Sequence, residues 1–183
     1  MSTKEELRKK VLTLLRNQEG KKRLTKSLGI LDQLFGRVDF REASSILFYA
    51  SFDGEVVTHD MIIGALKLGK TVGLPVMEAD DCHLSPRVIR DFERDLVAGP
   101  YGIRQPRKLP DNEMTHIDMV IVPGVVFDKN NHRIGRGAGY YDRFLGNLSD
   151  KTTTVGLAFD FQMVDKIPCI EPHDVPVDHV LRS

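Results

Sequence analysis

Met119-Val120-Ile121-Val122-Pro123-Gly124 is an apolar run of strand length closed by a turn pair, and it reads as a buried strand. Working outward, Thr154-Val155-Gly156-Leu157-Ala158, Lys70-Thr71-Val72-Gly73-Leu74-Pro75 and Ser45-Ile46-Leu47-Phe48-Tyr49-Ala50 read the same way. Helices fall between them. Thr3 and Glu6 have the spacing of a capping box, and Leu7, Val11, Leu14 and Leu15 follow at i, i+4, i+7 and i+8. A second helical stretch surrounds Ile30 to Phe35. After the Asp53-Gly54 turn, Thr58 can cap a helix through Met61, Ile62, Ala65 and Leu66 that Gly69 ends. A further helix is expected over Tyr140 to Leu148. This alternation predicts an α/β domain with a mainly parallel sheet covered by helices, whose sites lie beyond the carboxyl ends of the strands. The least regular region, Glu78 to Asn112, is rich in proline and glycine and predicts long loops around a helix near Pro86 to Leu96.

The 183 residues fit one domain spanning 1–183, and 41% hydrophobic residues suffice for a core that needs neither disulfides nor a structural metal. With 26 basic and 26 acidic residues, no net field draws the chain to nucleic acid or anionic lipid, so any anion site is local. Lys21-Lys22-Arg23 reads as a solvated face. Cys82 and Cys169 make neither a zinc pattern nor a secreted disulfide scaffold. The six histidines show no metal-ligand spacing. No leader pattern and no membrane-length apolar run is seen, so a cytoplasmic, membrane-free protein is expected, with no obligatory protein partner.

The stretch that carries chemistry is Arg133-Ile134-Gly135-Arg136-Gly137-Ala138-Gly139-Tyr140-Tyr141-Asp142. Alternating glycines before a helix let main-chain N–H groups approach an anion, and arginine forks add paired, charge-assisted bonds to phosphate. Asp142 would repel phosphate unless a cation bridges them, which makes it a candidate Mg²⁺ ligand. Spacing alone equally allows a glycine-rich turn with solvated charges. The P-loop pattern is absent, and the dinucleotide fingerprint fails because Pro123 through Ile134 separate strand from glycines.

This segment, with Val122-Pro123-Gly124-Val125-Val126-Phe127-Asp128 before it, resembles the 5-formyltetrahydrofolate cyclo-ligase family, also called 5,10-methenyltetrahydrofolate synthetases, almost position by position. The likeness extends to Lys4 and Arg8, Asp53-Gly54-Glu55-Val56-Val57-Thr58, Leu74-Pro75 and Asp174-Val175-Pro176-Val177-Asp178. It implies a three-layer α/β/α, Rossmann-like scaffold related to sugar-phosphate isomerases and CoA transferases. It also implies ATP- and Mg²⁺-dependent conversion of 5-formyltetrahydrofolate to 5,10-methenyltetrahydrofolate.

The resemblance assigns ATP contacts to Lys4, Arg8, Arg133, Ile134, Gly135, Arg136, Gly137, Ala138, Gly139, Tyr140 and Tyr141, and Mg²⁺ to Asp142 and Asp174. It assigns folate contacts to Ala50, Glu55, Tyr101 and Tyr140, with Tyr140 and Arg136 nearest the chemistry. Tyr140 could bond the formyl oxygen, stack on the pterin or simply pack. Arg104 and Gln105 replace the family's usual proline and acid after the Gly-Ile pair, so only the aromatic Tyr101 is carried over there. A nucleotide-binding relative without cyclo-ligase activity would share the glycine loop, and fold likeness alone does not separate the two.

Overall fold

The computed structural model describes residues 3–78, 83–99 and 102–183. Its helices are α1 (Lys4–Arg16), α2 (Gly20–Gly36), α3 (Val38–Glu42), α4 (His59–Lys67) and α5 (Tyr140–Leu145). Its strands are β1 (Ser45–Leu47), β2 (Thr71–Glu78), β3 (His83–Ile89), β4 (Leu96–Ala98), β5 (Arg104–Pro106), β6 (Met119–Val122), β7 (Val126–Asp128), β8 (Arg133–Ile134), β9 (Thr153–Ala158), β10 (Met163–Val164) and β11 (His179–Arg182). The central sheet has the order β11-β9-β6-β1-β2-β3, parallel throughout except for the β2–β3 pair.

Side-chain alternation divides the core into two layers. Met119 and Ile121 pack with Ile46, Val155 and Leu157 against Leu15 of α1, Ile30 and Leu34 of α2, and Met61 and Ile62 of α4. Val120 and Val122 pack with Leu47 and Ala158 against Phe127, Tyr141 and Leu145 on the opposite face. Helices therefore cover both faces of the sheet, which is the three-layer arrangement. Among the described residues no helix is long and apolar enough to cross a membrane.

α1 starts at the Thr3–Glu6 capping box, with the Glu6 N–H donating to Thr3 Oγ1 at 3.2 Å and the Thr3 N–H to Glu6 Oε2 at 2.9 Å. Thr58 occupies the N-cap position of α4 without capping it. Its hydroxyl donates instead to the Tyr49 carbonyl at 2.6 Å and accepts from the Ser51 N–H at 3.1 Å, tying the chain after β1 to the start of α4.

The helix expected near Pro86 to Leu96 is not formed. β3 pairs antiparallel with β2 there, and Pro86 stands opposite Pro75, a pair in which neither residue has an N–H to donate. The chain then turns on two aspartates. Asp95 Oδ2 accepts from the N–H groups of Arg90 (2.7 Å) and Asp91 (2.9 Å), and Asp91 Oδ1 accepts from those of Glu93 (2.9 Å) and Arg94 (3.0 Å). Such side-chain bonds offer the backbone an alternative to a helix. Other boundaries also shift: β1 is shorter than the run Ser45–Ala50, β2 extends past Pro75, α2 reaches well beyond Ile30–Phe35, and α5 stops before Leu148.

The β7–β8 hairpin delivers Arg133 to the site. The fully buried Asp128 carboxylate accepts from the Asn130 N–H (2.9 Å) and His132 N–H (3.0 Å) across the turn, and from the Ile167 N–H (3.0 Å) of a later segment. Asn131 takes the left-handed conformation at φ 63°, one that asparagine tolerates.

Candidate active site

The chain leaves β1 toward β2 on one side of the sheet and returns to add β6 on the other. In open α/β sheets the crevice beyond the carboxyl ends of two such strands is where ligands bind. A cleft of about 720 Å³ opens at this point, lined by Tyr49 and Ala50 after β1 and by Pro123, Gly124 and Val125 after β6. Lys4, Arg8, Ala50, Glu55, residues 133–142 and Asp174 all line it, so the segments singled out by sequence converge although they span the chain. Tyr101 lies outside the described residues, as do Asp80, Asp81 and Cys82.

The glycine loop forms one wall. Gly137 (φ 114°) and Gly139 (φ 74°) hold left-handed backbone that other residues resist, and Gly139 is the N-cap of α5. Arg8 anchors the loop to α1 by donating Nε–H to the Gly135 carbonyl at 2.9 Å, while Arg8 and Glu5 form an ion pair. Arg143 Nη1 donates to the Ala138 carbonyl at 3.3 Å. Lys4 and Arg8, one helical turn apart on α1, thus face the cleft together.

Arg133 is buried, pairs with Asp142 Oδ1 at 3.0 Å and lies 5.7 Å from the centroid of the Tyr141 ring. Burial draws its pKa below the usual arginine value, against the opposing pull of Asp142, Tyr141 and Asp174. Arg136 Nε donates to Glu55 Oε1 at 3.1 Å and Nη1 to Asp53 Oδ2 at 2.9 Å. The arginine assigned to phosphate and the glutamate assigned to folate are therefore ion-paired. Burial raises the Glu55 pKa, and Arg136 and the Phe52 N–H only partly offset this.

Tyr49 and Tyr141 put two buried phenols beside Glu55, and burial, reinforced by that carboxylate, raises both pKa values. The Tyr141 hydroxyl is buried without a hydrogen-bond partner among the described residues. Tyr140 is half-buried in the same wall.

Asp174 Oδ2, also at the cleft, accepts from Lys4 Nζ at 2.5 Å and from the Glu171 N–H at 2.7 Å. Burial opposes its charge, but those two donors keep its pKa below the ordinary aspartate value. Glu171 and His173, which the sequence also offers as ligands beside Asp174, bring possible ligand atoms within 4.8 Å of one another and of Asp174. Asp178 is committed elsewhere, accepting from the Thr154 N–H (2.7 Å) and hydroxyl (2.8 Å).

Sequence reasoning missed Tyr49, Phe52, Asp53 and the β2 residues Pro75 and Met77. The first reads as part of a buried strand and Asp53 as a plain turn residue, and only the fold shows that Tyr49 lines the cleft and that Asp53 bonds Arg136 of its wall. Arg104 and Gln105 also line it.

The model of the 5-formyltetrahydrofolate cyclo-ligase family matches residues 1–183. A 5-formyltetrahydrofolate cyclo-ligase of Haemophilus influenzae is 33% identical over 93% of this chain and 89% of its own, and one of Mus musculus is 30% identical over 98% and 93%. The solution structure of an Aquifex aeolicus 5,10-methenyltetrahydrofolate synthetase superposes with a TM-score of 0.83 at 31% identity, over 98% of this chain and 89% of that one. The chain belongs to the 5-formyltetrahydrofolate cyclo-ligase family.

Proposed function

We propose that the whole chain acts as one ATP-dependent cyclo-ligase domain that converts 5-formyltetrahydrofolate to 5,10-methenyltetrahydrofolate, releasing ADP and phosphate. The observation that carries this reading is a single cleft in which the cationic glycine loop and an aromatic wall with the buried carboxylate Glu55 meet. Phosphate and pterin ends of two substrates then adjoin, as a transfer between them requires. A cytoplasmic setting accords with the composition.

The formyl group on N5 is amide-like, and its oxygen is a poor leaving group. Its attack on the γ-phosphorus breaks the bond to ADP and leaves the formyl group phosphorylated on oxygen, an N5-iminium phosphate. N10 then attacks the activated carbon, loses its proton, and phosphate departs with the former formyl oxygen to leave the methenyl bridge. The protein's work is positioning and charge neutralisation. Lys4, Arg8, Arg133, Arg136 and the loop from Ile134 to Tyr141 hold the triphosphate in this reading, Ala50 and Glu55 hold the pterin, and Tyr140 lies beside the formyl group.

The carboxylates of Asp142 and Asp174 supply oxygen donors at the cleft and currently neutralise Arg133 and Lys4, a donor set that suits Mg²⁺. Bound there, Mg²⁺ would screen the phosphate charge from both carboxylates.

Labelling the formyl oxygen with ¹⁸O tests this course of reaction. One label per turnover is expected in the released phosphate. Label retained outside phosphate would refute the phosphorylated intermediate.

A further inference from the structure

Asp53 sits between two arginines. Arg16 grips it with Nε at 2.9 and 3.0 Å from its two oxygens and with Nη2 at 2.9 Å from Oδ2, the same oxygen that accepts from Arg136 Nη1 at 2.9 Å. The Arg16 bond holds the Asp53 carboxyl below the usual aspartate range, against burial and with help from Arg136.

The backbone around Asp53 is shaped for this placement. Asp53 has φ 48° and Gly54 φ 87°, two successive left-handed residues. Gly54 is pressed onto the end of α1 so closely that a Cβ would lie 2.1 Å from the Leu15 carbonyl oxygen. Gln18 Nε2 bridges the two segments, donating to the carbonyls of Leu15 and Gly54 at 3.0 Å each. The turn is thus fixed to α1 by backbone fit and by hydrogen bonds, and its carboxylate is held against Arg136.

Arg136 is held on three sides as a result. Glu55 takes Nε, Asp53 takes Nη1, and the Phe52 ring lies 4.0 Å below the guanidinium carbon. Nη2 is 3.1 Å from Glu55 Oε1 but is buried without a hydrogen bond.

We propose that Asp53 is a positioning residue for the cyclo-ligase reaction, holding the Arg136 guanidinium over Phe52 in the orientation in which it meets a phosphoryl group in the cleft. The inference rests on the ATP-handling role proposed for Arg136. Asp53 touches no substrate in this arrangement and acts through that guanidinium.

A double-mutant cycle tests it on the purified full chain with ATP and 5-formyltetrahydrofolate. Asparagine tolerates positive φ, so Asp53→Asn keeps the turn and removes the charge. Asp53→Asn is expected to lower kcat/KM for ATP about tenfold at an unchanged urea midpoint, and to lower it less than about twofold when Arg136 is already alanine. Arg16→Ala, which leaves the Asp53–Arg136 bond in place, is expected to stay within about threefold of the parent. An Asp53→Asn loss undiminished in the Arg136→Ala background would overturn the inference, as would a full-sized loss from Arg16→Ala. Normal kinetics in Asp53→Asn beside a strongly impaired Arg136→Ala would overturn it while sparing the site reading. Unchanged ATP kinetics in Arg136→Ala would remove both.

Discussion

Arg136→Ala is expected to lower kcat/KM for ATP about 100- to 1,000-fold in steady-state assays, because a preorganised cation aimed at developing phosphoryl charge is worth that much in a dry site. The planar fork matters as well as the charge. Arg136 bonds two carboxylates and stacks on Phe52 simultaneously, which a lysine ammonium has no geometry to do. The substitution also strips the cation from Glu55, whose pKa burial already raises. A folded-state pKa raised above the unfolded value contributes stability that is present at low pH and lost as pH rises through the folded value. The variant should therefore lose stability, relative to the parent, as pH climbs above the ordinary glutamate range. Urea midpoints across pH check this, and a variant whose midpoint falls instead on acidification would contradict it.

Asp142→Ala is expected to cost about 3 kcal/mol of folding stability in urea titrations, separately from any loss of Mg²⁺. Its carboxylate partners Arg133, whose side chain is only 3% exposed, and truncation leaves a buried guanidinium with little to balance it. Two effects of one residue can be separated. Replacing Arg133 with methionine in the Asp142→Ala background removes the stranded charge and should restore most of the stability, since buried ion pairs exchange well for apolar residues. Turnover should stay abolished. Recovery of activity along with stability would show Asp142 to be structural only.

The long apolar strands were legible because burial on both faces writes an unbroken hydrophobic run, as Met119–Val122 does. The capping box of α1 was legible because Thr3 and Glu6 are local. β3 was not. Proline at its centre and the aspartates after it resemble a helix start, and only the pairing of Pro86 with distant Pro75 decides the matter. The β7–β8 hairpin also escaped notice, since β8 is two residues long and its turn is built by the Asp128 side chain.

The candidate site divides the same way. The glycine loop announces itself in ten consecutive residues, whereas Asp53 and Tyr49 gain meaning only from strand order and from the fit of Gly54 against α1. The Arg136–Glu55 pair joins residues 81 positions apart, and no local pattern contains it.

The most direct test mixes the purified chain with 5-formyltetrahydrofolate, Mg²⁺ and ATP and follows absorbance of the methenyl product. The account predicts a rise that requires ATP and ends with one ADP per product formed. Normal ATP binding with no absorbance change would contradict it and leave a nucleotide-binding relative in its place.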